Sequence, residues 1–185
     1  MQVRTRLLIA AAALCVPVSV ACAPATGEPL PAAQAAYAEA DVRFSQEMIP
    51  HHRQTIQLAK LAEGRAEKLY VQDLGVRLID QEQIDIEKMV SWLTEWKQKV
   101  PADNPEVAHS MPGMLSAQQL KVLEGLSGAE FDESWLTVLS RHLAFGTEMA
   151  ERIIGDGKHE PTARLAREMI KNQRNTIKEI AQLLD

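Results

Sequence analysis

Apolar residues recur every three to four positions through four long segments of the chain, which is the spacing of amphipathic α-helices. The first predicted helix starts near Ala32 and runs to about Ala62, just before Gly64, a residue type that commonly ends helices. The second spans roughly residues 67–99. No segment carries a convincing strand pattern, so the predicted fold class is all-α.

The second half of the chain has its own start and stop signals. A stretch rich in proline and glycine after the second helix predicts a loop. Capping-box spacing at Ser116 predicts a short helix, and the same spacing at Ser127 predicts the start of the third long helix, which stops near Gly155. Pro161 suits the first turn of the fourth. The chain therefore predicts two pairs of long helices joined by a loop.

The two helix pairs are copies of one another. Sliding the sequence along itself by 91 residues aligns the halves without a gap. Such a repeat predicts a four-helix bundle made of two duplicated helical hairpins with a crossover loop. We place the first repeat at about 36–99, the loop at 100–126 and the second repeat at about 127–185. The first-half members of the identical pairs are Ala38, Glu39, Asp41, His51, Ala59, Gly64, Leu74, Ile79, Ile86 and Leu93.

The N-terminus has the pattern of a targeting segment. Two arginines precede an apolar run over residues 7–20, which is too short to span a membrane, and Cys22 follows this run. We predict a signal peptide over residues 1–21, cleavage before Cys22, lipidation of that cysteine and a tether over residues 22–35. Because Ser19 departs from the usual lipobox residue, plain secretion is the alternative.

Cysteine content and charge restrict the possible functions. Removal of the signal peptide would take away Cys15 and leave Cys22 as the only cysteine, which excludes an intramolecular disulfide and thiolate-based metal binding or catalysis. The formal charge of −5 becomes more negative by two when the two leading arginines are lost. Because the remaining surface is acidic, we predict no nucleic-acid partner.

Side chains that can bind metals occur on the predicted buried face of the first helix. At 100° per residue, Asp41, Met48 and His52 share one stripe with apolar residues, and His51 lies at its edge. A buried carboxylate or imidazole needs a partner, and this set offers one hard, one borderline and one soft metal ligand. Pro50 would kink the helix locally and turn both imidazoles inward. We therefore predict an interior metal site.

The second repeat keeps part of this set. Asp132 and His142 align with Asp41 and His51, and both belong to the predicted metal site. Each residue also has a structural alternative. The aspartates could cap helices or pair with a core arginine, the histidines could be hydrogen-bonded core residues, and Met48 could be core packing.

The loop between the repeats contains a second group of possible ligands. His109 and Met111 precede a Pro-Gly turn and Met114 follows it, so the turn can bring both thioethers to one side near the imidazole. Thioether and imidazole ligands favour cuprous ion over zinc or magnesium. We predict that this loop binds copper. The alternative is that both methionines plug the end of the bundle.

Three segments together resemble the family known as domain of unknown function 305. They read DVRFSQEMIPHHRQTIQLA, MPGMLSAQQLKVLEGLSGAEFDESWL and RHLAFGTEMA, and the resemblance covers the chain from about Ala38 onward. The resemblance implies a ferritin-like four-helix bundle. It also implies a protein that is exported or lipid-anchored, in a family with some members implicated in copper binding or tolerance.

The second half departs from the family pattern. Leu139 and Leu143 stand where that pattern has a second methionine and the second histidine of a pair, and Glu82 replaces a glutamine that Gln173 keeps. The second repeat is therefore expected to be a partly degenerate copy. The dominant interior site is expected to belong to the first repeat.

The function predicted from these observations is metal binding by an exported, lipid-anchored bundle, with copper as the metal and binding rather than turnover as the activity. One alternative is an oxidoreductase of the ferritin-like di-iron type, which needs Glu-x-x-His on two helices. The sequence has that spacing once, from Glu106 to His109 in the proline-rich loop. The other alternative is an interaction module of the cell envelope that binds no metal.

Overall fold

The computed structural model describes residues 36–103 and 113–184. These residues form helices and connecting turns and contain no strand, which confirms the predicted all-α fold class. Within the same residues, no helix combines the length and the apolarity needed to cross a lipid bilayer. The helices are α1 (Glu39–Leu61), α2 (Leu69–Glu95), α3 (Ala117–Glu124), α4 (Gly128–Asp156) and α5 (Glu160–Leu184).

The four long helices pack as two hairpins, α1 with α2 and α4 with α5, and the contact between α1 and α4 joins the hairpins. The short helix α3 touches both α1 and α4. This arrangement follows from the repeated pattern, because each hairpin has one apolar face that only its copy can bury. The duplicated four-helix architecture is as predicted, while the ferritin-like relationship stays a prediction.

The interior contains two apolar clusters, and along each long helix a polar stretch separates them. We name them the leucine core and the methionine core. The leucine core comprises Leu58, Ala59, Ala62, Val71, Leu74, Leu78, Leu115, Leu120, Leu123, Phe131, Trp135, Leu136, Leu139, Leu143 and Ile180. The methionine core comprises Val42, Phe44, Met48, Ile49, Ile86, Met89, Leu93, Trp96, Met149, Ala150, Ile153, Leu165, Ala166 and Met169.

A buried aspartate on α1 holds the start of α5 in the other hairpin. Oδ2 of Asp41 accepts the backbone N–H of Lys158 at 2.9 Å and that of His159 at 3.2 Å, just before α5 begins. The same oxygen accepts the N–H of Ala38 at 2.7 Å. A helix N-terminus has backbone N–H groups without helical partners, and a carboxylate satisfies them and stabilises the helix dipole.

Asp132 on α4 makes the corresponding contacts to the first hairpin, at the start of α2. Its Oδ1 accepts the N–H of Glu67 at 3.2 Å and its Oδ2 that of Lys68 at 2.8 Å, immediately before α2. Both aspartates are almost fully buried, so each one takes the place of water at the start of a helix in the other hairpin. The sequence left three interpretations open for Asp41 and Asp132, namely metal ligand, helix cap and partner of a core arginine, and the hydrogen bonds of both residues are those of a helix cap.

Several helix ends differ from the predicted ones. Helix α1 begins at Glu39 and residues 36–38 precede it, so the predicted start near residue 32 is too early. Helix α2 ends at Glu95, where Lys97 adopts a positive φ of 55° that no helix continues. The predicted capping box at Ser116 is confirmed. At Ser127 the side chain makes no cap hydrogen bond, so the capping box predicted there is wrong.

Candidate metal centre

Three imidazoles lie between the two cores. They belong to His51 and His52 on α1 and to His142 on α4, and each of these residues exposes at most 1% of its surface. The rings of His51 and His142 stack face to face, with 3.9 Å between centroids and 6° between planes. Both members of the histidine pair therefore point inward, as predicted, although Pro50 lies within an unbroken helix. We call the three histidines and Glu82, which lies beside His52, the histidine layer.

The hydrogen bond of His51 defines which of its ring nitrogens is free. Its Nε2 lies 3.2 Å from the backbone carbonyl oxygen of His142. Because a carbonyl only accepts, Nε2 must carry the proton, and in a neutral ring Nδ1 then has a bare lone pair. That Nδ1 is buried and has no hydrogen-bond partner in the part of the chain that the structure describes. An imidazole that donates one nitrogen to a carbonyl and keeps the other free has the form of a metal ligand.

His142 differs because both of its nitrogens are engaged. Nδ1 lies 3.3 Å from the carbonyl oxygen of Gly113, and Nε2 lies 3.0 Å from the hydroxyl of Thr55. By the same reasoning Nδ1 donates, and in the neutral ring Nε2 accepts from the Thr55 hydroxyl, which shares its one proton with the backbone carbonyl oxygen of His51 at 3.2 Å. A ligand could reach His142 Nε2 only by displacing Thr55. His51 is therefore more available to a metal ion than His142, the residue that aligns with it in the second repeat.

His52 faces a buried carboxylate on α2. Its Nδ1 lies 2.6 Å from Oε2 of Glu82, and both side chains are nearly excluded from solvent. The contact is close, but it lacks the direction of a hydrogen bond, since both ring nitrogens of His52 and this oxygen have no hydrogen-bond partner in the described chain. Buried polar atoms without partners are rare and costly, so a ligand that engaged these atoms would remove an unfavourable term.

The aligned positions of the second repeat provide no equivalent. Leu143 aligns with His52 and Gln173 with Glu82, and the amide oxygen of Gln173 accepts from the Thr147 hydroxyl at 3.2 Å. Gly146 aligns with Thr55 and lies against His51, where an added Cβ would come within 2.8 Å of ring atom Cε1. The glycine therefore leaves room for His51. The layer is asymmetric because His51, His52 and Glu82 all lie in the first repeat.

Burial changes the acid-base behaviour of two imidazoles. The pKa of His51 is well below the ordinary 6.5 because burial disfavours its charged form, and the neighbouring His142 and His52 lower it further. Burial also lowers the pKa of His142 to about 4, against the opposing effect of its hydrogen bonds. Both rings are therefore neutral at pH 7. Neutral imidazole is the form that binds metal.

We expect the metal-free protein to lose stability as the pH falls from about 6.5 to about 4. In that range His142 takes up a proton in the unfolded chain but stays neutral in the folded protein. Its contribution is therefore fully present above pH 6.5 and is lost as the pH falls to its folded pKa. The loss for this residue alone is about 3 kcal/mol. Urea unfolding at about pH 7 and about pH 4.5 measures it.

The matched control for this pH effect is His142→Gln, since carboxylates elsewhere also titrate in the same range. The variant should lose less stability than the wild type between the two pH values. An equal loss in both proteins would contradict the assignment of the pH effect to His142.

The other predicted ligands lie in different places. Met48 is fully buried one turn before His52. Asp41 is ten residues from His51, about 15 Å along α1, and its Oδ2 is occupied by backbone N–H groups. Met114 is half-buried and lines a cavity of about 170 Å³ together with His142. Cys22, His109 and Met111 lie outside the described residues, so lipidation and the loop site stay predictions.

The described residues, 36–103 and 113–184, contain no group of three histidine, cysteine, aspartate or glutamate side chains that could hold one metal ion together. For His51 and His142 the stacked geometry is the reason, because stacked rings direct their nitrogens sideways and not toward a common point. The sequence interpretation did not assign a role to Glu82. The sequence contained a signal for it, since a glutamate on the apolar stripe of a predicted helix needs a buried partner, but the sequence did not identify His52 as that partner.

The fold and the histidine layer define an all-α protein built from a duplicated helical hairpin with imidazoles in its core. The sequence profile of the family described as "Domain of unknown function (DUF305)" matches residues 41–184. The chain therefore belongs to the DUF305 family, as the three sequence segments predicted. No curated protein matches it significantly.

Solved structures of similar proteins share the fold. A DUF305 protein of Streptomyces coelicolor, considered to be secreted, has 27% identity and a TM-score of 0.71, with 78% of this chain and 90% of that chain covered. A DUF305 fragment from Deinococcus radiodurans has 23% identity and a TM-score of 0.71, with 80% and 96% covered. CopM in its Cu(II)-bound form has 26% identity and a TM-score of 0.69, with 78% and 95% covered.

Proposed function

We propose that this protein binds copper ions and that the histidine layer is its main interior site. The observation that carries the proposal is the free Nδ1 of His51, which is buried while the other ring nitrogen donates to a carbonyl. Leaving such a lone pair buried without a partner is unfavourable, and coordination of a metal ion removes that cost. The low pKa of this ring keeps it in the binding form at neutral pH.

The surroundings of His51 favour an ion with few and soft ligands. His52 supplies a second imidazole whose ring nitrogens lack hydrogen bonds, and Met48 supplies a buried thioether one turn away. Cuprous ion accepts imidazole and thioether ligands, whereas zinc and magnesium sites need more nitrogen or oxygen donors. Glu82 is the carboxylate that would orient His52 or balance the charge of the ion.

The copper assignment is also supported by a structural neighbour. CopM structures are known in Cu(I)-bound, Cu(II)-bound and silver-bound forms. That protein and this chain share the bundle fold over most of their lengths. In this proposal copper is the cargo of the protein, since the histidine layer supplies ligands for an ion and the proposed activity is binding rather than turnover.

We further propose that the protein is exported and anchored by lipid at Cys22. The secreted relative and the signal-like N-terminus support export. The anchor itself rests on the sequence around Cys22. Membrane fractionation tests it, since the wild type should sediment with membranes and Cys22→Ala should not. Unmodified wild-type protein found entirely in the medium would refute the anchor and leave export intact.

The experiment that tests copper binding is metal analysis of the mature chain, purified without a histidine tag. We expect cuprous ion, titrated against a competing chelator, to bind with at least one equivalent and to raise the melting temperature. Zinc and magnesium should bind more weakly. A protein that carries no metal and takes up none in titration would instead be the interaction module of the cell envelope.

A further inference from the structure

The methionine core contains three methionines that the proposed copper site at the histidine layer does not use, and it shares a fourth, Met48, with that site. It includes four methionines, and each comes from a different long helix: Met48 from α1, Met89 from α2, Met149 from α4 and Met169 from α5. Their exposed fractions are 0%, 0%, 8% and 4%. Four thioether side chains are therefore buried in one apolar cluster to which all four long helices contribute.

The repeat supplies an internal comparison. The positions 91 residues away from these methionines are occupied by Leu139, Ile180, Leu58 and Leu78, and all four belong to the leucine core. Both cores fill the same part of the same duplicated scaffold. Because branched aliphatic residues serve that packing in one copy, packing alone does not require methionine in the other.

The four methionines also lie on one side of the histidine layer. Met48 comes four residues before His52 on α1, and Met89 comes seven residues after Glu82 on α2, so both lie toward the same end of this first hairpin. At 1.5 Å per residue these offsets are about 6 Å and about 10 Å. The thioether cluster is thus close to the layer but distinct from it.

The second hairpin places its methionines in the same direction. Met149 follows Gly146 by three residues on α4, and Met169 precedes Gln173 by four residues on α5. An added Cβ on Gly146 would approach both His51 and Gln173 within 3 Å, so these positions are at the level of the layer. Met149 and Met169 therefore lie about one helical turn from it.

One of the four methionines is reachable from solvent. A cleft of about 580 Å³ opens between α1 and α4, and Met149 and Phe145 contribute its apolar lining, while Glu47 and Glu148 are balanced by Arg43 and Arg152. The charges of the lining cancel, so it is the thioether at the wall that gives the cleft an affinity for a soft cation. The aligned side of the leucine core is covered differently, because α3 and Leu115 pack there.

We propose that Met48, Met89, Met149 and Met169 form a second site, which takes a soft monovalent cation such as cuprous or silver ion through the cleft at Met149. Neutral thioethers are suited to this class of ion, since they are soft donors that remain available at any pH and do not bind hard divalent ions well. The site goes beyond the histidine layer and does not depend on copper binding there.

The test is a silver titration of the folded protein, because silver ion is a soft monovalent probe without a competing redox reaction. The variant Met89→Leu with Met149→Leu and Met169→Leu leaves Met48 and all histidines in place and changes side-chain volumes little. We expect it to lose one bound equivalent, or at least about tenfold in affinity, with an unchanged helical signal. The variant His51→Ala with His52→Ala should retain that equivalent, which separates the two sites.

A second measurement keeps the test decisive if the triple variant folds poorly. In wild-type protein labelled with ¹³C at the methionine methyl groups, silver ion should shift the signals of the four core methionines together. Unshifted core signals, or a triple variant that binds silver as the wild type does, would overturn the thioether site. Loss of all silver binding in the histidine variant would also overturn it as a separate site.

Discussion

Replacing His51 and His52 together with alanine will remove most of the rise in melting temperature that copper confers, and His142→Ala will remove less. The reason is the asymmetry of the histidine layer. His51 keeps a free Nδ1 and His52 has no hydrogen-bonded nitrogen, whereas both nitrogens of His142 are engaged by Thr55 and Gly113. Binding to the folded state stabilises it in proportion to the logarithm of affinity, so losing ligands reduces the gain.

The measurement is thermal unfolding of each variant with and without cuprous ion, so that each protein is its own reference. Leu143→Ala is the matched control, because Leu143 aligns with His52 and is buried but cannot bind metal. It should lower both melting temperatures and preserve their difference. Equal losses in the two histidine variants would indicate one symmetric site shared by both repeats. No loss in either would return the histidines to a packing role.

Asp41→Ala will destabilise the protein by about 3–5 kcal/mol, because each backbone N–H that loses its acceptor costs about 1–3 kcal/mol. Three backbone N–H groups depend on the Asp41 carboxylate, two of them at the start of α5. Without it these groups lose their acceptor in a partly buried site, where water can replace the carboxylate only in part. Asp132→Ala should cost less, because that carboxylate accepts two such groups. Urea unfolding at pH 7 measures both changes.

Asparagine variants sharpen this prediction, since their effects should be in the reverse order. All three hydrogen bonds of Asp41 use Oδ2, so the carbonyl oxygen of Asp41→Asn can keep them. Asp132 uses both oxygens, so Asp132→Asn must lose one of its bonds. If Asp41→Ala instead kept its stability and lost metal affinity, the carboxylate would be a metal ligand, as the sequence alone allowed.

Much of the architecture could be predicted from local patterns. The 3.6-residue periodicity located the four long helices, and the 91-residue repeat defined the two hairpins and their internal symmetry. The same alignment singled out Asp41 and His51 because their copies are polar residues on buried faces. These features depend on residues near one another in the chain or on direct comparison of two segments. The sequence therefore contained them without reference to the packed structure.

Only the tertiary structure determined which polar atoms on different helices contact one another. Asp41 serves amides 117 and 118 residues away, and the free nitrogen of His51 exists because a carbonyl 91 residues away takes the other one. The pairing of His52 with Glu82 likewise requires α1 and α2 to pack at one particular axial offset. Periodicity defines the face on which a side chain lies but not that offset. Hydrogen bonds and ligand sets between helices depend on the offset to within an ångström or less, so only the packed bundle determines them.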